Sequence, residues 1–254
     1  MKKLFDRKYL DAAFQQIGES LQAPVTVYLL GGGAMAFRGQ KPGTKDLDLL
    51  LENNFQLPQL HKALGRAKFS PVIKLGRTYE DMQVSGGVWD NSDGFRIDLF
   101  VEKVVDKLSL TPPMKQRSTP LGTFGNLQVN SVSNEDIVLF KSVTGRPDDT
   151  ADMAAIVRQT PFDWNVMLTE CALQSKTRPW HGHMLEALRD LKERFGIDAP
   201  ITRKLESLNK DNILTDAYRM KLEKGLAPEQ IVDELVGMGF SKRKVMRMIK
   251  AIGN

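Results

Sequence analysis

A single cysteine, Cys171, stands in 254 residues, so no internal disulfide framework can form and a small stapled secreted scaffold is excluded. We read that cysteine, set among Leu168, Ala172 and Leu173, as a packed core thiol. No apolar run approaches the roughly 18 residues a membrane-spanning helix needs. The opening MKKLFDRKYLDAAFQQ places lysines ahead of no apolar segment, so a secretory signal is not expected and the cytoplasm is the expected location. The P-loop pattern G-x-x-x-x-G-K-[ST] occurs nowhere in the chain, which removes the Walker-type phosphate cradle. Histidine is scarce as well. His181 and His183 in WHGH have no nearby cysteine or third histidine to complete a zinc set, and we read them as cap or surface residues. No cluster of base-stacking aromatics supports sequence-specific RNA recognition.

What is present is ordinary globular material, 41% apolar and 26% charged, enough for one large domain or two modest ones. The net charge of +5 is concentrated. The segment SKRKVMRMIK, Ser241 to Lys250, carries five basic residues and no acid, so the remainder of the chain is neutral overall. The basic character therefore belongs to one terminal helix, with Val245, Met248, Ile249 and Ile252 on its apolar face and Arg243, Lys244, Arg247 and Lys250 around it. Such a helix is either a phosphate-contact surface or an ordinary solvated face.

The pattern along the chain changes near its middle. Apolar spacing predicts a helix from Tyr9 to Leu21, a strand VTVYLL (25–30), a short helix Ala34 to Arg38, a strand LDLLL, and a helix over PQLHKALGRAKF. VIKL, the neighbourhood of MQVSGGVWDNSDG, FRIDLFV and LQVNSV complete the strands. Ser133 followed by Asp136 opens a helix through IVLFKSV. From there onward only helices are expected: 149–160, 163–176, 182–195, 201–224 with a break, 228–237 and 241–252. The expected fold class is α+β, a sheet flanked by helices followed by an all-α C-terminal half. The expected division is 1–145 and 146–254, with 226–254 a small basic helical module.

The chemistry concentrates in YLLGGGAMAFRGQKPGTKDLDLLLE, Tyr28 to Glu52. Gly31, Gly33 and Ala36 fit G-x-G-x-x-A after a strand, with Glu52 where a ribose-binding acid would sit. Against this dinucleotide reading, Gly39, Pro42 and Gly43 leave the crossover helix a turn or two, and two aspartates would enter a sheet covered on both faces. A metal reading accounts for more. Residues i and i+2 of a strand share a face, so Asp46 and Asp48 project together while Leu47, Leu49 and Leu51 fill the other side. Asp98 in FRIDLFV has the same setting between Ile97 and Leu99. Hard oxygen donors of this kind select Mg²⁺ or Mn²⁺. Three strand-borne carboxylates can hold two such ions about 4 Å apart, the arrangement used in phosphoryl and nucleotidyl transfer. Gly31 and Gly32, turning into a helix, can then present backbone N–H groups to phosphates. The plainer readings are a tight glycine turn, aspartates paired to Lys45 or Arg38, a solvated Lys141, and acids at 148–152 that merely complement a helix dipole.

Gly31-Gly32, thirteen residues, then Asp46-Leu-Asp48 resembles the signature of the polymerase-β-like nucleotidyltransferase superfamily. Asp98 stands where that superfamily has its third carboxylate. LFKSVTGRPDDTADM resembles the K-x(4)-R-x-x-D-x-x-D helix motif of minimal nucleotidyltransferases related to abortive-infection toxins, departing from it at Pro147-Asp148. The likeness covers about residues 25–155. It implies a nucleotidyltransferase-type mixed sheet and Mg²⁺- or Mn²⁺-dependent transfer of a nucleoside monophosphate from an NTP to an acceptor hydroxyl. Gly31, Gly32 and Thr44 would hold the nucleotide, and Asp46, Asp48 and Asp98 the metal. Asp98 would also help deprotonate the acceptor. Lys141 and Arg146 would reach the phosphates, with Asp149 and Asp152 orienting them. The acceptor would be an RNA 3′ end (tRNA, met by the basic terminal helix), a protein hydroxyl or a small molecule, and an antitoxin would be a partner. The alternative is a non-catalytic nucleotide-binding or interaction module on the same scaffold. Separately, APEQIVDELVGMGFSKRKVMRMI is similar to ubiquitin-associated-type helical modules through its Met-Gly-Phe turn.

Overall fold

A computed structural model describes residues 3–73, 84–146, 148–176 and 178–252. The fold is α+β, a mixed sheet with helices packed on it and, after residue 133, helices alone among the described residues. Helix α1 (Arg7–Ser20) is capped by Asp6 and buries Leu10, Phe14 and Ile17. Strand β1 (Val25–Leu30) follows and turns directly into α2 (Gly31–Phe37). That helix starts three residues earlier than the sequence suggests, because Gly31 at φ +62 reverses the chain in a single step that a side chain would resist. Strand β2 (Asp46–Leu51) and helix α3 (Leu57–Arg66) come next.

Strands β3 (Ser70–Pro71), β4 (Val88–Asp90), β5 (Arg96–Val101), β6 (Lys103–Val104), β7 (Leu108–Ser109), β8 (Thr119–Phe124) and β9 (Leu127–Ser131) complete the sheet. Its order is β3-β4-β5-β2-β1-β9-β8, with β6 attached to β5 and β7. Strand β1 runs antiparallel to β2. A Rossmann unit needs those two strands parallel across a helical crossover, so the glycines do not serve a dinucleotide fold. The edge strand β8 escapes sequence reading because Pro120 and Gly122 argue against a strand. At an edge the missing N–H is tolerated, and the register shifts between those two residues. The short helix α4 (Pro112–Arg117), β6 and β7 also carry too few residues to leave a periodic signal. Of the VIKL strand, Val72 and Ile73 lie outside any strand, and the rest falls outside the described residues.

The helical part comprises α5 (Asn134–Thr144), α6 (Asp149–Gln159), α7 (Trp164–Gln174), α8 (His181–Phe195), α9 (Thr202–Glu223), α10 (Pro228–Gly237) and α11 (Lys242–Ile252). Helix α9 is unbroken over 22 residues. Its polar centre holds no glycine or proline, and Asp211 pairs with Lys244 while Asn212 meets His181. His181 itself is buried, not a surface cap. The Asn212 amide donates to its Nδ1 at 2.6 Å, and burial lowers its pKa. Cys171 is fully buried and its thiol is pushed up to about 12 by burial.

One apolar core runs from Phe5 to Leu205, passing through both the sheet and α5–α8. A smaller one joins Leu214 and Tyr218 of α9 to Ile231, Val232 and Leu235 of α10 and Val245 of α11. The first core is stitched by Arg117 at the end of α4. Its guanidinium donates to Asp136 at 2.9 Å and to Glu170 at 2.6 Å. Both carboxylates are almost wholly buried, and Glu170 also accepts from Thr111 at 2.8 Å. Removing Arg117 leaves two buried negative charges without their cation. Arg117→Ala should therefore lower unfolding free energy by about 3 kcal/mol, read from urea denaturation; a loss below about 1 kcal/mol would place the charge elsewhere.

Candidate active site

Strands β2 and β5 are parallel, with Asp48 opposite Asp98 and Asp46 opposite Arg96. Neighbouring strands lie about 4.8 Å apart, so the Asp48 and Asp98 carboxyls share one face while Leu47 and Leu49 are buried beneath the other. Asp98 is 1% exposed. Its Oδ1 has no hydrogen-bond partner among the described residues, a costly state for an ionised oxygen. Burial first, and then the charge of Asp46, push the Asp98 carboxyl up to about 7. Burial, Asp46 and Asp98 likewise raise Asp48 well above the carboxylate range.

The glycines are there because the acids are. A Cβ on Gly31 would meet the Asp48 Oδ2 at 2.2 Å, and one on Gly32 would meet the Thr44 Oγ1 at 2.7 Å. Thr44 donates its hydroxyl to the Asp46 carbonyl at 2.9 Å. Its backbone is fixed by two hydrogen bonds with Phe5, at 2.8 and 2.9 Å. The N-terminal segment thus fastens the loop that leads into β2.

Above these residues lies a cleft of about 430 Å³. Gly31, Gly32, Thr44, Asp46 and Asp48 line it from the sheet side, and Lys141, Arg146, Asp149 and Asp152 from the helical side. Lys141 on α5 is nearly buried and reaches Asp149 at 2.8 Å and Asp152 at 2.7 Å. Burial alone would lower its pKa; the two carboxylates more than offset this and leave it raised. A solvated helix lysine is therefore the wrong description, and Asp149 and Asp152 do more than complement a dipole. Asp152 also pairs with Lys41 at 2.5 Å, and Asp149 accepts from the Thr144 hydroxyl at 2.5 Å. Arg38 does not serve the aspartates. It donates to Asn134 at 2.8 Å and to the Val132 carbonyl at 2.5 Å.

Of the residues the sequence singles out, Gly31, Gly32, Thr44, Asp46, Asp48, Lys141 and Arg146 come together on one cleft. Asp98 is not among the residues lining the cleft; it is buried beside Asp48 on the neighbouring strand. Lys45, read from the sequence only as a partner for the aspartates, lines the cleft too, and so does Lys41, which was missed. Their signal was the pair of lysines in GQKPGTKD, which reads as loop solvation until the loop is seen folded over the acids. Among the described residues, no three His, Cys, Asp or Glu side chains form a ready-made metal set. The donor chemistry nonetheless fits a hard divalent cation, since Asp46, Asp48 and an Asp98 oxygen with no hydrogen-bond partner among the described residues cluster on adjacent strands, offset only in part by Arg96. A scan against protein-family models and a search of curated proteins return no match.

The raised carboxyls set a pH dependence. As pH rises above about 4, the unfolded chain releases the Asp98 proton, while the folded chain keeps it to about 7. The Asp98 contribution to metal-free stability therefore falls across that window, opposed in part by the buried His181, whose lowered pKa acts with the other sign. Thermal denaturation in chelator should give a Tm that declines from about pH 5 to about pH 7.5, with Asp98→Asn flattening the decline. The same pH dependence of Tm in the wild type and in Asp98→Asn would contradict the assignment.

Proposed function

We propose that this protein is a metal-dependent nucleotidyltransferase that moves a nucleoside monophosphate from an NTP to an acceptor hydroxyl. The observation that carries the reading is the in-register Asp48–Asp98 pair beside Asp46, beneath a cleft that Lys41, Lys141 and Arg146 also line. A mixed sheet that puts Asp48 and Asp98 on adjacent parallel strands, and a glycine step packed closely against Asp48, support the polymerase-β-like resemblance. Lys141, Lys41 and Arg146 bind the polyphosphate as charges, and Gly31, Gly32 and Thr44 offer N–H and hydroxyl donors. Asp46, Asp48 and Asp98 would hold Mg²⁺ or Mn²⁺, which supplies charge neutralisation at the attacking and leaving oxygens. By the same resemblance Asp98 is the carboxylate that would help take the acceptor proton.

The polyphosphate must compete with Asp149 and Asp152 for Lys141. A lysine held between two carboxylates is pre-positioned, and its remaining donor capacity is what the substrate uses. RNA is the acceptor class we favour among RNA, protein hydroxyls and small molecules. Lys242, Arg243, Arg247 and Lys250 of α11 are all exposed and form a phosphate-binding stripe. A toxin role held in check by an antitoxin belongs to the same reading. The second reading, a nucleotide-binding module without catalysis, is favoured by one fact: among the described residues no closed metal set is preformed.

Labelled NTP with total tRNA, run with Mg²⁺ and with chelator, separates the two. Transfer with release of pyrophosphate is expected in Mg²⁺ only. Asp46→Asn and Asp48→Asn should each reduce it by at least about 10²-fold while the fold is retained by circular dichroism. Binding of NTP with no transfer to RNA, protein or small-molecule hydroxyls would leave the binding module as the function.

A further inference from the structure

Asp46 and Lys45 stand on a wall between two clefts. One is the cleft described above. The other, about 310 Å³, is lined by Lys3, Lys45, Asp46, Asp90, Asp93, Gly94 and Arg96. Three carboxylates and three cations line this second side. Arg96 lies between Asp46 and Asp90 in the register of β2, β5 and β4, and Asp93 accepts from the Tyr9 hydroxyl at 2.7 Å. Lys3 and Lys45 are exposed and, among the described residues, have no carboxylate partner. The Lys3 ammonium rests 5.0 Å from the centre of the Phe5 ring. Phe5 in turn is bonded to Thr44 beside the acids. An ammonium carried on that bonded segment is positioned by the fold and does not drift on a loose tail.

We infer that this second cleft is the acceptor subsite, and that it takes a sugar hydroxyl flanked by a phosphate, the phosphate lying between Lys3 and Lys45. The inference rests on the transferase reading and adds the acceptor's chemical class and entry side. The shared wall puts a hydroxyl in this cleft beside the same Asp46 that faces the nucleotide cleft. Attack then forms an oxygen–phosphorus bond at the α-phosphate, breaks the bond to the bridging oxygen and releases pyrophosphate. The hydroxyl proton passes to a carboxylate of the acid group. The two unpaired ammoniums select an anionic neighbour for that hydroxyl and disfavour a neutral or cationic acceptor. A free nucleotide and an RNA end share this chemistry.

The test uses the full chain and a 5′-fluorescein RNA of about ten nucleotides carrying a 3′ hydroxyl, with binding followed by anisotropy. Lys3→Glu should weaken it about tenfold and Lys3→Ala by less, each with a smaller salt dependence. A mononucleotide should compete and its unphosphorylated nucleoside should not. Competition by mononucleotide at low concentration points to a free nucleotide as the acceptor, and competition at high concentration only points to an RNA end. RNA binding that ignores Lys3→Glu but is lost on Arg243→Glu/Arg247→Glu would overturn the subsite. So would equal competition by nucleoside. The thermal shift from a non-hydrolysable NTP with Mn²⁺, measured on the wild type and on Lys3→Glu, keeps the two claims apart. Its absence in the wild type refutes the transferase reading, whereas an intact shift beside unchanged RNA binding refutes only the acceptor cleft.

Discussion

Carboxylates held side by side at the heart of a sheet are expensive, and the rest of this molecule is arranged around that cost. Asp48 and Asp98 face each other across β2 and β5, with Asp46 adding its charge from two residues away. Their desolvation leaves Asp98 with an unpaired oxygen and a carboxyl titrating at about 7. A fold gains no stability from such a cluster. The physical reason to keep it is a cation that arrives with a substrate, and each neighbouring feature follows from making room for one. Side chains are absent at Gly31 and Gly32, the loop through Thr44 is bonded down, and a cleft remains open above the acids.

The positive charge that answers the acids sits on the opposite wall and is itself regulated. Lys141 is kept protonated by Asp149 and Asp152, and Asp152 extends the same network to Lys41. The helical wall mixes charges, Lys141 and Arg146 standing among Asp148, Asp149 and Asp152, and those two cations are what it offers a metal-bound polyphosphate. Because α5 carries Lys141 and its start is tied through Asp136 to Arg117 and Glu170, the helical part is structurally part of the site. The continuous core from Phe5 to Leu205 agrees with that dependence.

Much of this was legible in the sequence where period and punctuation were strong. Val25–Leu30, Asp46–Leu51 and Pro228–Gly237 stand where their patterns put them. The DxD spacing alone fixed which face the acids share. What was illegible depended on contacts distant in sequence. Pro120 and Gly122 mask an edge strand. His181 becomes a buried residue only because Asn212 comes to meet it. Lys3 and Lys41 look like solvation until Phe5 pairs with Thr44 and Asp152 reaches the loop. The burial of Asp98 beside Asp48 also could not be read from alternation, which gives the face of a side chain and not its exposure.

The central claim is that the acid cluster is a protonated, cation-ready site. Calorimetric titration of Mn²⁺ at about pH 6.5, repeated in buffers of different ionisation enthalpy, measures it most directly, because a metal must displace the proton that burial holds on Asp98 up to about pH 7. The account predicts binding accompanied by net proton release, with both lost in Asp46→Asn/Asp48→Asn. Mn²⁺ binding with no proton release, or release unchanged in that variant, would contradict it.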